Sequence, residues 1–440
     1  MNRAAGEVLV VGAGAAGLTA ARELSAHGIS VSILEARNRI GGRIYTHRHG
    51  AEALPVELGA EFVHGKPPEI LDLIGPSRLK LREVAERHWF IMQGRLVKSA
   101  EFWDKIEEIM DRMTHDPEDR TFEQFLDTLP NDPETAEAKK MAVRFVQDFH
   151  AGLINRIGTQ GLNRVNEASE SIDGEAAFRF PGGYAELCDW LCAEAMRHGA
   201  IVHLSTAVTE ISWRKNEVSV LTTSDELERL VARRCLITLP LGVLQAGSVK
   251  FNPAVPNEVV NAINNLATGH VAKIILQFRE RFWEDLELPI EDGSQSLEPL
   301  SFIHSFKPPF PTWWTTLPVR TPLLVGWVGG PEAITLLKND DEVIIDQAIN
   351  ALANLLRIQV IGLREKLVSA HFHNWQSDPW SRVAYSYLPV GGLKAQAVLS
   401  DPIEQTLFFA GEALSDGHIG TVHGAMMSGA RAAAEILRSL

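Results

Sequence analysis

Three glycines near the start of the chain, Gly12, Gly14 and Gly17, stand in the run V-G-A-G-A-A-G. They lie between a predicted strand at 7–11 and a predicted helix that reaches about Ala26. In that setting the first glycine permits a tight turn and the second lets a pyrophosphate approach the backbone. The third lets the helix pack closely on the strand. The helix N-terminus adds free N–H groups and the positive end of a dipole, which suit an anion. Glu35 ends the next predicted strand, 30–35, where its carboxylate can accept the hydroxyls of a ribose. The chemistry these residues point to is dinucleotide binding.

Lys273 stands out by its surroundings, third in V-A-K-I-I-L-Q-F at 271–278. A lysine in an apolar strand is costly to bury unless it is paired or its pKa falls. The alternative is an edge strand from which the side chain reaches solvent. No G-x-S-x-G or other nucleophile motif occurs. His64, His371, His373 and His423 show no metal-ligand spacing, so no metal is expected. Cys188, Cys192 and Cys235 make neither a disulfide framework nor a ligand set, and read as buried thiols.

These residues need a scaffold. Residues 7–35 form a βαβ unit, followed by a second glycine turn at Gly41-Gly42. From about residue 81, helical spacing of apolar residues predicts a mostly helical stretch to 181, broken at Pro130 and Pro133. A new helix begins after Pro181-Gly182-Gly183, then strands at 201–204, 208–213, 217–222 and 235–239. The proline- and acid-rich residues 284–299 predict a loop, 333–356 one long helix and 367–375 a strand. The last forty residues repeat the opening pattern: a strand at 406–410, a turn at Gly411-Glu412, and a helix from about Thr421. The expected fold class is α/β. A Rossmann-like nucleotide-binding domain is assembled from 1–80, 182–263 and 392–440. It is interleaved with an α+β substrate-binding domain made of 81–181, mostly helical, and 264–391, sheet plus helices.

Hydrophobic residues at 45% and charged residues at 22% are the balance of an ordinary globular protein, so disorder is not expected. A formal charge of −14 argues against nucleic acid as a partner, because phosphates repel an acidic surface. The same charge suits attraction of a cationic substrate, or simply solubility. The N-terminus enters a strand within a few residues, leaving no room for a signal peptide, and no apolar tail follows the last helix. The expectation is a cytoplasmic protein with no membrane partner, with the choice between monomer and homodimer left open.

Seven separated segments carry a resemblance. Glu35-Ala36-Arg37-Asn38-Arg39-Ile40-Gly41-Gly42-Arg43 resembles the E-A-R-x-R-x-G-G-R motif of the flavin-dependent amine oxidase superfamily. Val56 to Gly65 (VELGAEFVHG) is similar to its segment passing the isoalloxazine ring, and Pro240 to Leu244 to its P-L-G-V-L stretch. Lys273-Ile274, Phe278 and Phe282-Trp283 resemble K-I-x-L-x-F…F-W. Trp375, Asp378-Pro379 and Ala384-Tyr385-Ser386-Tyr387 resemble W-x-x-D-P…Y-S-Y. Phe409 to Glu412 and Thr421 to Ala425 resemble the terminal F-A-G-E and T-V-H-G-A.

The resemblance implies an FAD domain of the glutathione-reductase/p-hydroxybenzoate-hydroxylase type and oxidation of an amine, with oxygen taking the electrons. It gives FAD the residues Gly12, Gly14, Ala16 and Gly17, then Glu35, Ala36 and Arg37, with Gly42 and Arg43 at the pyrophosphate. Gly59, Ala60 and Glu61 pass the ring, Trp375 packs near it, and Val208 meets the adenine through its backbone. Gly411, Glu412 and Val422 complete the set. For catalysis it implies Lys273, reaching flavin N5 through a water, with Tyr385 and Thr421 flanking the substrate.

Two departures matter. Ala384 occupies the position of the cysteine that attaches flavin in animal monoamine oxidases, so FAD is expected to be non-covalent. Thr421 replaces one tyrosine of an aromatic pair, as in the related histone lysine demethylases. The chain lacks their long inserted arm and a basic extension, which argues against a histone substrate. Glu61, and more loosely Glu167 and Glu170, are candidates for a second amino group of a diamine, or else solvated charges. The competing enzyme is an L-amino-acid oxidase, whose G-A-M-R arginine is absent from Gly59-Ala60-Glu61-Phe62. A flavin-binding protein without turnover is the reading from outside enzymology.

Overall fold

The computed structural model describes residues 3–4, 6–48, 54–85, 87–92, 94–98, 100–114, 117–307 and 309–440. A five-stranded parallel sheet gathers three distant parts of the chain, in the order Ile201–His203, Val31–Leu34, Val8–Val11, Arg234–Ile237 and Leu407–Phe409. Its register sets Val202, Ile33, Val10, Leu236 and Phe408 in one row. Such apolar runs suit a parallel sheet covered on both faces. On one face the helix Ala15–Ala26 packs against Val422–Ser439 and Ala185–Arg197. The crossing is close because Gly429 lies against Ala16, where a Cβ would come within 2.2 Å of the Ala16 carbonyl oxygen. The sheet thus takes its strands from residues 8–34, 201–237 and 407–409.

A seven-stranded sheet faces this unit, in the order Leu367–Phe372, Val271–Phe278, Leu323–Gly329, Thr312–Thr315, Phe302–Ser305, His88–Met92 and Arg95–Lys98. The lysine strand is paired on both sides, so the edge-strand alternative fails. Alternation along it decides where Lys273 points. Ala272, Ile274 and Leu276 join a core with the helix Asp341–Leu356. Ile275, with Lys273 on its face, turns instead toward Val56 and Leu58.

Several sequence expectations are corrected. Within the stretch expected to be helical, Arg82–Glu83, His88–Met92 and Arg95–Lys98 are strands, the last two in the large sheet. The helices of this region are Ala100–Thr114, Phe122–Thr128, Pro133–Asp148 and Thr159–Glu170. The expected loop at 284–299 holds a hairpin, Glu287–Ile290 with Gly293–Ser296. The single helix expected at 333–356 is two, Gly330–Leu336 and Asp341–Leu356, the second entered from an extended Asp340. The three cysteines are buried and free, as expected. Among the described residues no helix is long and apolar enough to cross a membrane, and no cluster could hold a metal ion.

Candidate functional site

A cavity of about 1060 Å³ opens between the glycine turns and the seven-stranded sheet. Every catalytic and cofactor-binding residue expected from the sequence lines it except Gly17. Gly17 does the packing work instead, since a Cβ there would stand 2.1 Å from the Gly12 carbonyl oxygen.

At the nucleotide end, Gly12 takes a left-handed φ of 108°, a conformation glycine adopts without a steric cost. Gly14 is the N-cap of the first helix and has no side chain to cap it, so the helix presents uncapped N–H groups beside the cavity. The two glycine turns are joined by Gly41 N–H donating to Ala13 O at 2.8 Å. Glu35 braces them, accepting from Ala13 N–H at 2.8 Å and Arg37 N–H at 2.9 Å. Each carboxylate oxygen keeps a lone pair for a hydroxyl. Arg43 pairs with Glu412 at 2.8 Å, and Glu412 accepts further from Ser386 Oγ and the Gly420 N–H. These donors, the braced acid and the uncapped helix end fit a dinucleotide.

Farther in, Lys273 is 5% exposed. Its Nζ lies 2.7 Å from Glu61 Oε2 and donates to Gly59 O at 3.0 Å. Glu61 Oε1 is 3.1 Å from Arg179 Nη1 and accepts from Trp314 Nε1 at 3.1 Å. Burial opposes ionisation of Glu61, but Lys273 and Arg179 outweigh it and hold the carboxyl below its ordinary value. The expectation that Glu61 meets a second amino group of a diamine is therefore corrected, because both of its oxygens face partners from the protein. Glu167 is exposed beside Arg164, while Glu170 does line the cavity.

Tyr385 donates its hydroxyl to Phe149 O at 2.7 Å, and its ring lies nearly parallel to Trp327 at 6.5 Å. Burial pushes the phenol up, so it stays neutral. Thr421 lines the cavity but its hydroxyl is engaged, capping the last helix through Gly424 N–H and donating to His418 O. What it offers there, compared with an aromatic residue, is room.

Sequence reading missed the rest of the wall. Phe62, His64, Phe149, Phe145, Trp103, His88 and Phe302 form a closed ring of aromatic neighbours with centroids 4.5–6.0 Å apart. All seven line the cavity. Burial pushes His64 and His88 down to about 4, so the belt carries no charge near neutral pH. For His88 and Phe302, the aromatic-rich strands His88–Met92 and Phe302–Ser305 were the available signal. Toward solvent, Asp104, Glu107 and Asp111 share one face of the helix Ala100–Thr114 and line the cavity with Glu170 and Glu175. Asp148, pushed up to about 6 by burial, sits inside against Arg144.

Comparison with known proteins follows the same pattern. The chain is 30% identical to "Polyamine oxidase 4" of Oryza sativa subsp. japonica, over 97% of this chain and 88% of that one. It is 29% identical to "Lysine-specific histone demethylase 1B" of Mus musculus, over 98% of this chain but 52% of that one. It thus spans about half the length of that relative. A solved putrescine oxidase, wild type bound to putrescine, superposes with a TM-score of 0.82 at 21% identity, covering 98% and 99% of the two chains. Cyclohexylamine oxidase from Brevibacterium oxydans IH-35A gives 0.79 at 20%, with the same coverage. At such identities these structures speak for the fold alone. The model of flavin-containing amine oxidoreductases matches residues 15–437, from the first helix to the last. With the second glycine turn, the lysine strand and most of the final helix inside that match, the chain belongs to the flavin-containing amine oxidoreductase family.

Proposed function

We propose that the chain is an FAD-dependent amine oxidase. It oxidises a primary or secondary amine without a carboxylate and passes the electrons to dioxygen, releasing hydrogen peroxide. One observation carries this reading: a buried, paired lysine stands where the nucleotide end of the cavity meets its aromatic end. FAD would be held non-covalently by the turn at Gly12, Gly14 and Ala16, with Glu35 for the ribose and Arg43 and Glu412 deeper in. When bound, the flavin accepts a hydride equivalent from the carbon next to nitrogen.

The chain's own residues bind and orient. The reacting amine must be neutral, because its lone pair stabilises the developing iminium. The acid-lined mouth attracts the ammonium form. Inside, the uncharged belt withholds solvent and disfavours the charged form, so the proton is lost on the way in. Tyr385 and Trp327 supply a flat wall for the amine, with Tyr385 fixed through Phe149. Lys273 contributes a fixed ammonium at the reacting end.

An amino-acid substrate would need a cation free for its carboxylate. Among the described residues, the lysine and arginines lining the cavity are engaged: Lys273 with Glu61, Arg43 with Glu412, Arg37 with Asp378 and Arg144 with Asp148. The test is peroxide release from tyramine, putrescine, spermidine and N-acetylated polyamines, against their amino-acid counterparts. A simple amine should outrun every amino acid, and leucine or lysine in first place would replace this reading with amino-acid oxidation.

A further inference from the structure

We propose that Glu61 is a positioning residue for Lys273: held by Arg179 and Trp314, it fixes the lysine ammonium and leaves one N–H for the cavity. The proposal rests on the reading of Lys273 as part of the catalytic apparatus. An ammonium carries three donors. Gly59 O takes one at 3.0 Å and Glu61 Oε2 faces another at 2.7 Å, so one remains. Lysine hangs on a flexible four-carbon stem, and these two contacts are what restrain it.

The restraint is itself built from several segments. Glu61 lies just before the strand Val63–His64, Arg179 ends the strand Ala177–Arg179, and Trp314 belongs to Thr312–Thr315. Leu58 N–H donates to Tyr45 O, Ala60 N–H to Arg43 O, and Trp375 Nε1 to Leu58 O. Residues 58–61 are therefore tied at Arg43 to the second glycine turn, and the lysine's position is referred to the cofactor end of the cavity. The charged groups around Lys273 are Glu61, Glu57 and Arg179. Its partner across the neighbouring strand is the uncharged Trp327. Mere charge compensation would need a nearby carboxylate and nothing more, whereas here the carboxylate is itself oriented through its other oxygen.

A double-mutant cycle on the FAD-loaded protein separates the two roles. Glu61→Gln, Lys273→Met and the double variant are compared by stopped-flow rates of flavin reduction and reoxidation, and by the midpoint potential of the bound flavin. If Glu61 acts through Lys273, Glu61→Gln slows the affected half-reaction by about tenfold when the lysine is present, and by less than about twofold in the Lys273→Met background. The drop in midpoint potential caused by Lys273→Met also shrinks once Glu61 has been replaced. Equal factors in both backgrounds, with Lys273→Met itself impaired, overturn the role of Glu61 alone. Lys273→Met at wild-type rates overturns the assignment of Lys273 and this proposal with it. Should Glu61→Gln fail to fold, Glu61→Asp keeps the charge but retracts it. Coupling to Lys273 in that cycle supports the proposal, and its absence overturns it.

Discussion

Arg43 meets Glu412 at 2.8 Å across 369 residues of sequence, joining the second glycine turn to the segment before the last helix. Glu412 is nearly buried and Arg43 partly so. Removing one partner of such a pair leaves the other without compensation, which typically costs about 3 kcal/mol or more. Glu412→Ala should therefore melt at lower urea concentration and retain less flavin through gel filtration. Unchanged stability together with full flavin retention would show that the pair does not tie the cofactor end together.

FAD is expected to leave the protein on denaturation. Ala384 lines the cavity and has no group to bond flavin, and the three cysteines do not line it. After acid precipitation the yellow colour should stay in the supernatant. Colour that remains with the pellet contradicts this.

Glu57 supplies a pH prediction. Burial raises its carboxyl to about 7, although it accepts from Tyr184 N–H and Thr46 Oγ1. The folded state then binds more protons than the unfolded state between about pH 4.5 and 7, so this group's contribution to stability falls as pH rises through that window. Glu57→Gln cannot ionise and keeps an acceptor. Its melting temperature should exceed that of wild type at pH 8, with the advantage gone at pH 5. An advantage independent of pH would assign the effect to packing.

What was legible in the sequence was what local chemistry specifies. The glycine turns, Glu35 and the strand around Lys273 depend on neighbours within a few residues. The partner of Lys273 does not: Glu61 reaches it, and Arg179 reaches Glu61, only after three strands and a loop have packed together. Arg179 lay in a stretch expected to be helical, and the belt residue His88 lies in a strand there. The break before Asp341–Leu356 did leave a mark, since Asp340 precedes the first-turn acids Asp341 and Glu342. In 284–299, proline and acid content outweighed the pairing that tertiary structure imposes.

The belt should govern binding more than turnover. The Phe149 side chain is 51% exposed and stacks on Phe145 at 5.3 Å, while its backbone carbonyl holds Tyr385. Phe149→Ala removes the ring and leaves that carbonyl in place. Loss of an apolar contact worth about 1.5 kcal/mol should raise KM for the best amine by about tenfold, with kcat little changed. A fall in kcat at constant KM would place Phe149 in the reacting geometry instead.

In the proposed reaction the ammonium of Lys273 serves the chemistry. Lys273→Met preserves side-chain length, and the structure leaves the neighbouring apolar residues of its strand unchanged in role. Glu61 keeps Arg179 and Trp314 as partners. The variant should therefore fold and bind FAD. Loss of a positioned polar group at a reacting centre commonly costs a factor on the order of 10²–10³. Stopped-flow measurement of flavin reduction by amine and reoxidation by dioxygen should find that loss in one of the two half-reactions. If the flavin-loaded variant runs both within about twofold of wild type, a difference of less than about 1 kcal/mol in barrier, Lys273 is a structural partner of Glu61 and not part of the chemistry.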